Sequence, residues 1–200
     1  MARWVFIRHG ESTANAADAL AGHLDVPLTA LGRAQAQALA PRLNGIGFDR
    51  VLTSTLQRAV DTAWLAVGHR PLLIERVPAL RERHMGAWEG ASRAQLRRDG
   101  RFESVLLSWT VPAPEGESNQ DAAVRALDWL CAHASDAPTL LVAHGGVLRS
   151  LIGLLDGRPI ADFMTDQVPN AHPIVRQLDA ASWRRARARA RSAPPRPTAR

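Results

Sequence analysis

"RWVFIRHGESTAN", residues 3–15, runs apolar as far as Ile7 and then stops at Arg8, His9 and Gly10. The run is too short for a helix and does not alternate cleanly. That suits a parallel strand buried on both faces. A guanidinium and an imidazole then stand side by side where the strand runs out. In open α/β sheets this is the end at which ligands bind.

Downstream, the pattern repeats. "TALGRAQAQALAPRL" (29–43) reads as a helix, with Thr29 at its cap and Leu31, Ala34, Ala38, Leu39 and Leu43 on one face. Asn44-Gly45 stops it. "FDRVLTS" (48–54) is a strand, and "STLQRAVDTAWLAVG" (54–68) a helix with Ser54 and Gln57 at capping-box spacing. "PLLIERV" (71–77) is a weaker strand, and "LRERHMGAWEG" (80–90) a glycine-punctuated loop with one or two helices after it. "SNQDAAVRALDWLCAHA" (118–134) is a helix capped by Ser118, with Asp121 three residues on. "PTLLVAHGG" (138–146) is the clearest buried strand and feeds a helix ending near Gly157, while "HPIVRQL" (172–178) suits an edge strand. Alternating strands and helices predict an α/β fold with a mostly parallel sheet.

Two hundred residues, 46% of them hydrophobic, suit one domain with a real core. No apolar run is long enough to span a bilayer, and the N-terminus lacks a signal peptide's apolar run and cleavage site. Cys131 is the only cysteine, so an internal disulfide is excluded and a reducing cytoplasm is expected. The net charge is +6, but Arg184 to Arg200 contains seven arginines and no acid, leaving −1 for residues 1–183. The chain has no lysine, so its basicity is arginine throughout and argues weakly for nucleic acid. The expected division is a domain over 1–183 and a disordered, Arg-rich tail over 184–200, where like charges repel and little apolar surface is available.

Three strand-to-helix junctions carry basic side chains: Arg8 with His9, Arg58, and His144 ahead of Gly145 and Gly146. Arginine forks match phosphate oxygens, and a helix N-terminus behind glycines offers free N–H groups. Guanidinium charge repels a metal ion, and no metal-binding spacing is present, so a phosphate site without metal is expected. A neutral imidazole there can attack phosphorus, and a carboxylic acid must protonate the leaving alkoxide. "LRERHMGAWEG" offers Glu82 for that. His23, His69, His133 and His172 read as structural or exposed, Trp88 as packing, and Cys131 as an inert core thiol.

The chain resembles the phosphoglycerate-mutase-like branch of the histidine phosphatase superfamily. Arg8-His9-Gly10-Glu11-Ser12 matches its R-H-G-[EQ]-[ST] hallmark, with Asn15 at the matching spacing. "AGHLDVPLTALGRAQA" (21–36), "LTSTLQRAVDTA" (52–63), "LRERHMGAWEG", "EGES" (115–118) and "VAHGGVLR" (142–149) match further blocks in order. The resemblance implies a three-layer α/β/α sandwich and a phosphorylated His9. It implies that Arg8, Arg58 and His144 bind the phosphoryl group and that Glu82 serves as acid and then base. Asn15, Gly22 and Gly145 would line the pocket. From their place just after Glu82, rather than from the resemblance, His84 and Met85 are expected to shape its mouth. No cofactor is implied.

The expected function is a metal-independent phosphomonoesterase acting on a small phosphorylated metabolite. The alternative is a cofactor-dependent phosphoglycerate mutase primed by a bisphosphoglycerate. Against it stand the short interval between Gly90 and "EGES", and Met85 where family mutases carry tyrosine. A non-catalytic phosphate binder ranks last. No specific nucleic acid and no membrane are expected as partners, and a homodimer is the assembly left open.

Overall fold

The computed structural model describes residues 1–68 and 70–192, so His69 and residues 193–200 lie outside it. In chain order the elements are β1 (Ala2–Arg8), α1 (Thr13–Ala16), α2 (Ala30–Gln37), α3 (Leu39–Leu43), β2 (Arg50–Ser54), α4 (Gln57–Val67) and β3 (Ile74–Val77). After them come α5 (Arg93–Arg97), α6 (Phe102–Leu107), α7 (Asn119–His133), β4 (Thr139–Ala143), α8 (Gly145–Leu155), α9 (Ile160–Phe163), β5 (Pro173–Leu178) and α10 (Ala180–Ser192).

The sheet order is β3-β2-β4-β1-β5. Its first four strands run parallel, and β5 closes the edge antiparallel to β1. Helices cover both faces, so β1 has no solvated side and its sequence does not alternate. Trp4 and Phe6 join a core with Leu127, Leu148 and Leu151 from α7 and α8. Val5 and Ile7 point the other way, to Leu39, Leu43, Ala59 and Ala63 from α3 and α4. A smaller cluster of Leu20, Met85, Trp88, Leu96 and Phe102 builds a cap beside the strand ends. Trp88 packs edge-on against Phe102, as a packing residue should.

Several boundaries differ from expectation. The helix expected over 29–43 breaks at Ala38 into α2 and α3. Pro41 lies four residues beyond Gln37 and would clash with its carbonyl in a continuous helix. Ser54 does not cap α4, because it is the last residue of β2 and its hydroxyl faces His144. The cap position falls to Leu56, whose N–H donates to Ser54 Oγ at 3.3 Å.

The expected disordered tail needs the largest correction. Residues 180–192 form α10, with Trp183, Ala186 and Ala190 buried at helical spacing. Asp179 starts the helix by accepting the Ser182 N–H. The arginines face outward to partners the charge argument did not include. Arg187 and Arg191 pair with Asp128 on α7, and Arg189 donates to the Leu154 carbonyl at the end of α8. No helix among the described residues is long and apolar enough to cross a membrane.

Candidate active site

β1, β2 and β4 are parallel and adjacent, so their carboxyl ends share one edge of the sheet. His9 follows β1, His144 follows β4, and Arg58 sits in the first turn of α4 after β2. The two imidazoles meet edge to face, with centroids 5.1 Å apart. His9, Arg58 and His144 are all buried. Gly10 has a packing role: a Cβ there would overlap the backbone oxygen of Gly32 in α2, so the pair lets two backbones touch.

Hydrogen bonding settles the state of His9. Its Nδ1 lies 2.7 Å from the Gly10 carbonyl oxygen, which can only accept. The proton is therefore on Nδ1, and Nε2 carries a lone pair. Burial, then the charges of Arg58 and Arg8, push the His9 pKa well below its ordinary value. The ring is neutral and nucleophilic at neutral pH. Burial lowers His144 in the same way, with Arg58, His9 and Arg8 adding to it. His144 Nε2 is 2.8 Å from Ser54 Oγ, while its buried Nδ1 has no partner among the described residues.

The two arginines spend their donors on carbonyls rather than carboxylates. Arg8 Nη1 donates to Val168 at 2.8 Å, and its buried Nε is unpartnered. Arg58 donates to Gly22 and Leu24, each at 2.8 Å. Gly22 has φ +52°, and a Cβ on it would come within 3.0 Å of the Met85 nitrogen. Two guanidiniums beside two neutral imidazoles make a site of positive charge waiting for an anion.

Glu82 enters from the loop after β3. Its carboxylate accepts the N–H groups of Gly146 at 2.9 Å and Val147 at 3.2 Å, in the first turn of α8. The Arg83 N–H is a third donor at 2.9 Å. A chamber of about 140 Å³ is lined by His9, Asn15, Gly22, Arg58, Glu82 and Met85, among others. It shares Asn15, Arg93 and Arg149 with a neighbouring chamber of about 570 Å³ that Arg8 and Gly145 also line. His144 lines neither chamber and meets the smaller one through the His9 ring. His84 lines neither chamber, and its ring packs edge-on against His23 instead.

Sequence reasoning missed other members. Ser54 anchors His144, and Thr62 Oγ1 accepts the Gly10 N–H at 3.0 Å. Arg149 and Asn119 line the inner chamber from α8 and α7. His23, read as structural or exposed, reaches the Glu82 carbonyl with Nε2 at 2.8 Å. Ser54, Thr62, His23 and Arg149 lie inside the matching blocks at 52–63, 21–36 and 142–149, which was the signal available for them, while Asn119 lies just past the block at 115–118. Cys131 is half-buried on α7, and burial raises its thiol pKa, in keeping with an inert thiol. Among the described residues, no three His, Cys, Asp or Glu side chains cluster as a metal site.

Known proteins share this architecture. The profile of the histidine phosphatase superfamily (branch 1) matches residues 4–190, well into α10. The chain is 34% identical over 197 residues to a glucosyl-3-phosphoglycerate phosphatase of Mycobacterium tuberculosis, covering 90% of this chain and 83% of that protein. It is 35% identical over 191 residues to a 2,3-bisphosphoglycerate-dependent phosphoglycerate mutase of Mesorhizobium japonicum, covering 89% and 93%. The solved structure of a mycobacterial glucosyl-3-phosphoglycerate phosphatase with VO3 superimposes with a TM-score of 0.80 at 32% identity, covering 88% of this chain and 92% of that one. The chain is a member of the histidine phosphatase superfamily.

Proposed function

We propose that this enzyme hydrolyses a small phosphorylated metabolite through a phosphohistidine on His9, without a metal and in the cytoplasm. The observation that carries the reading is the His9 ring. Its proton is committed to Gly10, its Nε2 is free, and both neighbouring guanidiniums lack a carboxylate partner.

The chemistry balances with the chain's own groups. The Nε2 lone pair of His9 forms the N–P bond as the ester P–O bond breaks. The leaving alkoxide takes the proton of the Glu82 carboxyl. Arg8 and Arg58 neutralise charge on the transferring oxygens, and His144, with Nε2 accepting the Ser54 hydroxyl, offers its otherwise unpartnered Nδ1–H to them as a donor. Water then attacks phosphorus, its proton passes to the Glu82 carboxylate, and the N–P bond breaks. Inorganic phosphate leaves, and the neutral imidazole returns. In this reading Asn15, Gly22 and Gly145 shape the phosphate pocket, Met85 gives the inner chamber an apolar wall, and His84 acts from outside. The guanidinium field disfavours a divalent cation at the same place.

The mutase reading is kept by the mutase relative, which is as similar as the phosphatase one. It differs only in what meets the phosphohistidine: a second substrate hydroxyl instead of water. Phosphate release from a panel of phosphomonoesters that includes 3-phosphoglycerate, in EDTA, separates the two. Release that His9→Ala reduces by several orders of magnitude supports the phosphatase. Isomerisation of 3-phosphoglycerate only with a 2,3-bisphosphoglycerate primer, with little phosphate released, would support the mutase.

A further inference from the structure

The carboxylate of Glu82 stands on a stretch with no regular structure to hold it. Residues 81–85 follow a single 3₁₀ turn and form neither strand nor helix. His23 holds the Glu82 carbonyl and Glu89 the Met85 N–H, but the widest grip on their backbone comes from one side chain on a distant helix. Arg125, in the middle of α7, donates from Nη1 to the Ala79 carbonyl at 2.7 Å and the Arg81 carbonyl at 3.3 Å. From Nη2 it reaches the Arg81 carbonyl at 3.3 Å and the Glu82 carbonyl at 3.2 Å. Glu117 meets the same guanidinium as a two-pronged pair, Oε1 accepting from Nε at 2.9 Å and Oε2 from Nη2 at 2.8 Å, so that Nη2 shares its two hydrogens among three oxygens.

Glu117 continues the clamp on the far side of Glu82. Its Oε2 accepts the His84 N–H at 2.9 Å, and its own N–H donates to the His84 carbonyl at 2.8 Å. Burial opposes charge on Glu117, but Arg125 and the His84 N–H outweigh it and hold the carboxyl below its usual range. The chain is thus gripped at residues 79, 81, 82 and 84, on both sides of the carboxylate that it carries into the chamber. A planar fork with five donors can span successive carbonyls; an ammonium cannot.

We infer that Arg125 and Glu117 are positioning residues that hold the Glu82 carboxyl in register with the leaving-group oxygen. This rests on the reading of Glu82 as the general acid. A displacement of about 1 Å in such a group costs on the order of 100-fold in rate. In the transfer to His9, the loss should fall on substrates whose leaving group needs a proton and should spare those whose leaving group does not.

The test is the dependence of kcat/KM on the leaving group, because kcat/KM reports transfer to His9 and leaves out the later hydrolysis, common to every substrate, in which Glu82 takes a proton from water. A p-nitrophenolate departs without protonation, whereas the alkoxide of glycerol 3-phosphate needs it. The first arm is Glu82→Gln, expected to lose about 10²- to 10⁴-fold in kcat/KM on glycerol 3-phosphate and far less on p-nitrophenyl phosphate. The second arm is Arg125→Met, expected to show the same split in kcat/KM at roughly 10- to 100-fold. Arg125→Lys should not rescue it, because a point charge cannot replace the fork. Glu117→Gln keeps the carbonyl bonds and guards against an Arg125→Met protein that does not fold; it should split in the same direction by a smaller factor. A split in Glu82→Gln with equal losses on both substrates in Arg125→Met and Glu117→Gln would overturn the positioning role alone. No split in Glu82→Gln would overturn the acid assignment, and the positioning role with it.

Discussion

Ending the chain after Trp183 separates a packed C-terminal helix from a solvated tail. A tail that began at Arg184 could be removed without cost. In the structure, Trp183 is 1% exposed and meets the Trp4 ring edge-on at 4.8 Å, with Phe6 at 6.3 Å. Ala186 and Ala190 are fully buried one and two turns further on. Truncation removes both alanines and leaves Trp183 as a terminal residue, its carboxylate beside an apolar groove. The ring then loses the helix that orders it, and the expected cost approaches that of Trp183→Ala, about 3–5 kcal/mol. That is a large part of the 5–15 kcal/mol typical of a domain. At about 2–4 °C per kcal/mol for a chain of this size, the melting temperature should fall by roughly 6–20 °C. Calorimetry of the truncated and full-length proteins measures it, with near-UV circular dichroism reporting the tryptophan packing. Arg184→Gln is the control, since that exposed side chain should change stability by less than about 0.5 kcal/mol. A truncated protein that melts within about 2 °C of the parent would refute the packing argument for α10.

Two further outcomes follow from the site. His9 and His144 have folded-state pKa values well below 6.5, so below that pH the unfolded chain binds more protons. Stability should therefore fall as pH drops from 6.5, approaching ~1 kcal/mol per pH unit for each histidine. Urea midpoints at pH 6.5 and 5.5 test this; an equal slope in a His9→Gln, His144→Gln double variant would remove the histidines as its cause. Gly32→Ala would drive a Cβ into the Glu11 carbonyl oxygen, where the backbones of 10–11 and α2 touch. Overpacking of this kind should cost about 1–3 kcal/mol and lower kcat by shifting the Gly10 carbonyl that orients His9. Gly45→Ala, which meets nothing within 4 Å, should be neutral. Equal stability in the two variants would sink the close-approach reading.

Much of the site is written locally. β1 and β4 are short apolar runs whose ends hold Arg8, His9 and His144. A parallel sheet obliges those ends to share an edge. α7 shows its capping box in Ser118 and Asp121, and the structure forms it as read. Glu82 reaches the same chamber because its block follows β3 closely in the chain. These are short-range signals, in which spacing alone sets the geometry.

The rest depended on partners distant in sequence. The sequence by itself determined the alternation of elements, the parallel sheet and the cations at its strand ends. Tertiary structure decided that the Arg-rich segment folds as α10, because its narrow stripe of Trp183, Ala186 and Ala190 becomes favourable only with Trp183 against the Trp4 ring and the arginines beside Asp128. It decided that Ser54 serves His144 rather than a helix cap, because β2 and β4 pair side by side. It also assigned Arg125 to the Glu82 loop, across 43 residues of chain. Periodicity reports which face of an element is buried, and only packing reports what that face meets.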